Sequence, residues 1–255
     1  MGRNKKRRRS SSAAVYIPAA AVIILFLVVF SASVFLQILE IEVIGATKYT
    51  EEEVIRASGI GAGDNMLFVK RGDVSQRILA AMPYINEVSF EFRLPDKMHI
   101  SVSETKAAAS IKYKDGMIII DSAGKVLGHA DVSPKGAIEV IGLTPIETGE
   151  GSTLKTNAGG EAQLRHLLDI LKAIESEEIQ DNVTFIDVTS IANISLGYAG
   201  RFTVILGSSD NARYKLSNLP GIIADAEQRA DSDEEAWTID LSDRGGRWSW
   251  SRSTS

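Results

Sequence analysis

The chain has 255 residues and carries 28 basic and 33 acidic side chains, a net charge of −5. Six of the basic residues (Arg3, Lys5, Lys6, Arg7, Arg8 and Arg9) fall in the first nine positions, so the remainder holds 22 basic against 33 acidic residues, a net of −11. That balance excludes nucleic acid as a partner, since such binding rests on neutralising phosphates with Lys and Arg; the absence of cysteine excludes disulfides and thiolate chemistry together.

Residues Ser10 to Leu39 are all uncharged. A hydrocarbon core about 30 Å thick needs roughly 20 apolar helical residues, and Ala19 to Leu36 nearly suffices alone. The pattern predicts a short basic cytoplasmic tail at 1–12 and a transmembrane helix at 13–36. Pro18 lies near the helix start, where its missing N–H removes little. Cationic flanks resist translocation, so a single-pass type II protein of the cell membrane is expected, with the C-terminal domains outside. A cleavable signal peptide has the same plan, but its apolar region spans about 7 to 15 residues, shorter than this run.

The next segment alternates Leu39, Ile41 and Val43 with Glu40 and Glu42, the period of a half-buried strand. Thr50-Glu-Glu-Glu53 reads as a capping box opening a helix to Ser58. Asp73 is expected to cap a second helix that turns Val74, Ile78 and Met82 inward and stops at Pro83. A hairpin follows, with Val88, Phe90 and Phe92 on one face, Met98, Ile100 and Val102 on the matching face, and 93–97 as the turn. Strand, two helices and a hairpin make a compact α+β domain over 37–106.

At this point the residues carry a resemblance. A strand directly after an apolar helix, two short helices, then Met82-Pro-Tyr-Ile-Asn-Glu-Val-Ser-Phe90 and Leu94-Pro-Asp-Lys-Met-His-Ile-Ser-Val102 resemble the POTRA domain of the bacterial division proteins called FtsQ or DivIB. Ile120-Asp121 with Gly124 and Val126, Val204-Ile-Leu-Gly207 with Tyr214-Lys-Leu216, and Thr238-Ile-Asp-Leu241 resemble later blocks of that family in order.

The second domain, 107–250 ahead of a tail at 251–255, reads as mostly strand with two flanking helices. Short β-rich runs are expected at Ser110–Tyr113, Met117–Asp121, Lys125–Ala130 and Ile138–Leu143, then a loop from Thr144 to Gly160. Leu164, Leu167, Leu168, Leu171 and Ile174 recur at helical spacing from Glu161 onward. Further strands are expected at Val183–Val188, Ile191–Tyr198, Phe202–Leu206 and Ala236–Leu241. A helix between the last two should kink or end near Leu219, because Pro220 follows.

Little in the chain points to catalysis. His99, His129 and His166 match no ligand spacing, and Gly59-Ile-Gly-Ala-Gly63 lacks the strand and Lys-Ser/Thr of a phosphate loop. Asp121, Asp187 and Asp240 sit at strand ends, where turn hydrogen bonds are the simpler reading; a carboxylate pair about 5 to 9.5 Å apart would instead suit a glycosidase. No catalytic residue, cofactor, metal or small-molecule substrate is expected.

The carboxyl end holds all three tryptophans: Trp237, Trp248 and Trp250. Trp and Arg are over-represented in binding hot spots, and a terminal strand at a sheet edge can accept a strand from another protein. The partner-binding set is therefore Trp237, Ile239, Leu241, Arg247, Trp248 and Trp250; the bland alternative makes Trp237 core and the others a tail anchor. In the family this chain resembles, that surface is implied to dock the division proteins FtsB (DivIC) and FtsL. The resemblance implies a non-catalytic scaffold of the division septum that helps control septal peptidoglycan synthesis. A membrane-anchored wall hydrolase and a general POTRA-type chaperone of exported chains are the competing readings.

Overall fold

A computed structural model describes residues 13–147, 149–229, 237–242 and 249–252. They form two compact units, the first comprising residues up to 78 with 87–103, the second 79–86 with the residues from 104 onward.

The first helix, α1, covers Ala13–Phe35 and carries Pro18 inside it. Its described side chains run unbroken only from Tyr16 to Ser31, all exposed. Among the described residues no helix is long and apolar enough to cross a membrane. An exposed apolar helix is thus present where a span is expected, without the span itself being shown.

The elements that follow are β1 (Glu40–Ile44), α2 (Glu51–Ser58), α3 (Arg71–Ala81), β2 (Ile85–Arg93) and β3 (Lys97–Glu104), in the predicted β-α-α-β-β order. The sheet order is β1-β3-β2, with β1 parallel to β3 in the register Glu40↔Lys97 and Val43↔Ile100. Central β3 turns Met98, Ile100 and Val102 into the core, as do Val54 of α2 and Val74 and Ile78 of α3. Val88, Phe90 and Phe92 are only half-buried, because β2 is an edge strand with a neighbour on one side.

Local chemistry sets the helix ends. The Thr50 hydroxyl accepts the Glu53 N–H at 3.3 Å while the Glu53 carboxylate accepts the Thr50 N–H at 2.9 Å, the predicted box. Gly59 closes α2 in the left-handed region at φ 66°, where a side chain is strained, so the glycine-rich loop begins as a helix stop. Helix α3 starts at Arg71, so Asp73 lies inside the first turn. The expected cap is corrected to a carboxylate favoured by the positive end of the helix dipole.

The second unit is built on nine strands in the order β14-β13-β12-β11-β10-β7-β4-β5-β6. They are β4 (Ala109–Tyr113), β5 (Gly116–Ile120), β6 (Val126–Ala130), β7 (Ile138–Ile141), β10 (Val183–Asp187), β11 (Ile194–Tyr198), β12 (Phe202–Gly207), β13 (Trp237–Asp240) and β14 (Ser249–Arg252). Parallel neighbours need a crossover. Helix α4 (Glu161–Ser176) lies in the connection between parallel β7 and β10, and α5 (Ala212–Arg229) in that between parallel β12 and β13. Leu167, Leu171 and Ile174 of α4 and Leu216, Leu219 and Ile223 of α5 share one core with Ile111, Ile186, Val204 and Ile239 of the sheet.

Two expectations are corrected here. The stretch 144–160 is not all loop, since β8 (Pro145–Glu147) and β9 (Lys155–Thr156) pair antiparallel within it. Helix α5 does not end near Leu219 but continues through Pro220 to Arg229. Leu219, Ile222, Ile223 and Ala226 are all buried while Pro220 faces solvent, so core burial on both sides of the proline outweighs the lost backbone bond.

Candidate partner-docking edge

Three of the six residues singled out at the carboxyl end are core. Trp237 and Ile239 of β13 and Leu241 just after it alternate with their side chains buried, because β13 lies on the helix-covered face of the sheet. They cannot offer their side chains to a partner. Arg247 and Trp248 lie outside the described residues. Trp250 lies in β14, opposite Ile239 in an antiparallel register.

The hydrogen bonds of β13 fix which way its neighbour points. The Trp237 N–H donates to the Arg201 carbonyl and the Leu241 N–H to the Ile205 carbonyl, at 3.2 and 2.8 Å, both on the β12 side. Strand groups alternate in direction, so Thr238 and Asp240 turn theirs toward β14 and pair with Ser251 and Ser249. The backbone N–H and C=O groups of Trp250 and Arg252 therefore point to the outer edge. Among the described residues no strand lies beyond β14.

The opposite edge is different. Along β6 the Val126 N–H donates to the Ser152 carbonyl and the Gly151 N–H to the Val126 carbonyl, each at 2.8 Å, and Lys125 bridges Thr153. A loop thus covers the start of β6, one of the ways that sheets blunt an edge. Of the two edges, β14 is the better template for an added strand.

The carboxylates do what strand-end aspartates ordinarily do. Asp121 Oδ1 accepts the Ala123 and Lys125 N–H groups at 3.0 and 2.8 Å, Asp187 Oδ1 accepts the Thr189 N–H at 2.8 Å, and Asp240 Oδ1 accepts the Ser242 N–H at 2.8 Å. Two strands separate β10 from β5 and two separate it from β13. Three spacings of about 4.8 Å put Asp187 roughly 14 Å or more from either of the others, beyond the reach of a glycosidase pair. Each histidine has a local partner: His99 with Glu42 at 3.1 Å, His129 with Glu150 at 3.9 Å and His166 with Ser209 at 2.7 Å. Burial pushes the Tyr198 hydroxyl up, partly offset by its hydrogen bond with Asn182.

One feature escaped the sequence. Of the α4 stripe, Leu167, Leu171 and Ile174 are buried in the core, but Leu164 and Leu168 line a cavity of about 410 Å³ with Ile146 and Leu154. The hairpin β8–β9 builds its other wall, and 144–160 gives no strand signal from which to foresee it.

These arrangements define an α+β protein that pairs a small β-α-α-β-β domain with a larger, nine-stranded domain ending in an open strand. The family model for the FtsQ-type POTRA domain matches residues 36–105. The chain is 26% identical to the cell division protein FtsQ of Corynebacterium glutamicum over 76% of its own length and 82% of that protein's. It is 27% identical to the cell division protein DivIB of Clostridium botulinum over 74% and 73%, and 24% identical to FtsQ of Streptomyces bingchenggensis over 77% and 73%. The chain thus carries a match to the FtsQ-type POTRA domain and is similar over about three quarters of its length to FtsQ and DivIB proteins, and the role that these relatives indicate is in cell division.

Proposed function

We propose that the protein is a non-catalytic scaffold of the division septum, anchored by α1 with its amino end in the cytoplasm. It binds FtsB/DivIC-like and FtsL-like partners through β14 and so helps control septal peptidoglycan synthesis. The observation that carries this reading is the edge of the nine-stranded sheet that no described strand covers, in a chain similar to FtsQ and DivIB proteins. An added strand there gains main-chain hydrogen bonds along its length, with specificity left to alternate side chains. Anchoring is supported by the 23 residues of α1, about 35 Å at 1.5 Å per residue, with exposed apolar side chains and six cations before it.

Localisation of a full-length fluorescent fusion, with depletion alongside, tests the proposal. A midcell band and filamentous cells on depletion are expected. Uniform membrane signal with normal division would overturn it and favour a general chaperone of exported chains.

A further inference from the structure

The residues that follow α1 are held between two loops of the first unit. On one side the Met66 N–H donates to the Leu36 carbonyl at 2.9 Å, the Ile38 N–H to Asp64 at 2.8 Å and the Gly63 N–H to Ile38 at 2.8 Å, and Gln37 bridges Asn65. On the other, the Leu39 and Glu40 N–H groups both donate to the Asp96 carbonyl, at 2.8 and 3.3 Å.

Both loops present apolar side chains to water. Leu67 is 64% and Phe68 78% exposed on the first loop, Leu94 is 72% exposed on the second, and Leu39 between them is 63% exposed. The first tip is built to hold that display. The Asn65 side-chain carbonyl accepts the Leu67 N–H at 2.9 Å, its backbone carbonyl accepts the Phe68 N–H at 3.0 Å, and Met66 is buried beneath. Lys70 and Arg93, next to the two tips, are exposed cations. Among the described residues of this unit beyond α1, Ile44 is the one other exposed large apolar side chain, and it ends β1 at the far side of the sheet.

Apolar side chains gathered where a chain leaves an apolar helix, with cations beside them, have the composition of an interfacial anchor. Such anchors bury their apolar face about 5 to 10 Å into the headgroup region. The loops lie within a strand spacing, about 4.8 Å, of the exit segment, so a bilayer holding α1 is their nearest apolar neighbour. We propose that Leu39, Leu67, Phe68 and Leu94 seat the first unit on the lipid surface from which α1 emerges. This rests on the anchoring reading given above.

The cysteine-free sequence allows single labels in the full-length protein. Variants Phe68→Cys, Leu94→Cys, Ile44→Cys and Phe26→Cys, each carrying an environment-sensitive fluorophore, are reconstituted into vesicles of phosphatidylcholine and phosphatidylglycerol containing nitroxide-labelled lipid. Quenching at positions 68 and 94 severalfold above that at 44, with position 26 quenched, is the expected result. Quenching at 26 with positions 68 and 94 no different from 44 would leave anchoring intact and overturn the seating, making these side chains available to a protein partner. An unquenched label at 26 would overturn both.

Discussion

Ile239 of β13 faces Trp250 of β14 across an antiparallel rung, and the bonds that β13 makes to β12 leave the Trp250 amide pointing outward. Removing that amide should weaken docking without unfolding the sheet. Trp250→Pro is expected to cost a partner strand at least one ladder bond, about 1 kcal/mol or roughly fivefold in affinity. Trp250→Ala keeps the amide and isolates the side chain's share. Ser251→Pro removes a bond to Thr238 instead and should lower the stability of the free protein. Calorimetric titration with a partner's extracytoplasmic segment, alongside urea denaturation, separates the three; equal affinities for wild type and Trp250→Pro would refute docking at this edge.

The capping box at the start of α2 gives a pH-dependent prediction. Hydrogen bonds from the Thr50 N–H and hydroxyl hold the Glu53 carboxyl below its ordinary value of 4.5. A depressed folded value means stability present above 4.5 and lost as the pH falls through the folded value. Wild type should thus be more stable than Glu53→Gln at neutral pH, and the difference should close in acid. Thr50→Ala is expected to cost about 1 kcal/mol in a denaturation midpoint; a gap between wild type and Glu53→Gln that stays constant with pH would sink the charge argument.

Pro220 leaves the Leu216 carbonyl without its usual donor in the middle of α5. Because Pro220 is on the solvent side, Pro220→Ala should restore the bond with no loss of core and raise stability by up to about 3 kcal/mol. Thermal melts would show the midpoint rising. A fall would mean that the ring's own contacts outweigh the missing bond.

Gly197 faces a bulge. Val183 pairs with Tyr198 and Ile186 with Leu196, so Thr184 and Phe185 together oppose the single residue Gly197. A Cβ there would overlap Thr184 Oγ1 and come within 2.5 Å of Phe185 Cε1. Gly197→Ala should destabilise by about 1 to 3 kcal/mol, as overpacking does. Urea denaturation should show partial rescue when Thr184→Ala is added, and no rescue would place the clash elsewhere.

What could be read from the sequence was local. The Thr50–Glu53 box, the Val74–Ile78 stripe and the Met98–Ile100–Val102 face are set by residues a few positions apart, and each has the structure that its spacing predicts. The Asp73 cap fails because α3 starts two residues before it, and α5 does not end near Leu219 because burial on both sides of Pro220, which propensity does not contain, sustains the helix. An edge near the carboxyl end was expected, but not the strand that forms it: β14 lies beyond the last expected strand, Ala236–Leu241, and takes in the start of the expected tail. Trp237, Ile239 and Leu241 look like an exposed aromatic and aliphatic patch until the position of β13 inside a nine-stranded sheet shows them turned inward. The groups left at the rim are backbone amides, which no side-chain pattern reports. Strand order is equally hidden: nothing local says that β7 lies between β4 and β10.

Strands β10 to β14 are laid side by side in the order in which they are synthesised, each extending the sheet outward from the middle. A ribosome delivers the amino end first, so β14 is the last of the described strands to be made. A chain cut after β13 and before residue 249 would end at an inner strand, with the groups of Thr238 and Asp240 at its rim in place of those of Trp250 and Arg252. Whether residues 249–252 have been made thus decides which backbone groups the sheet presents at this rim.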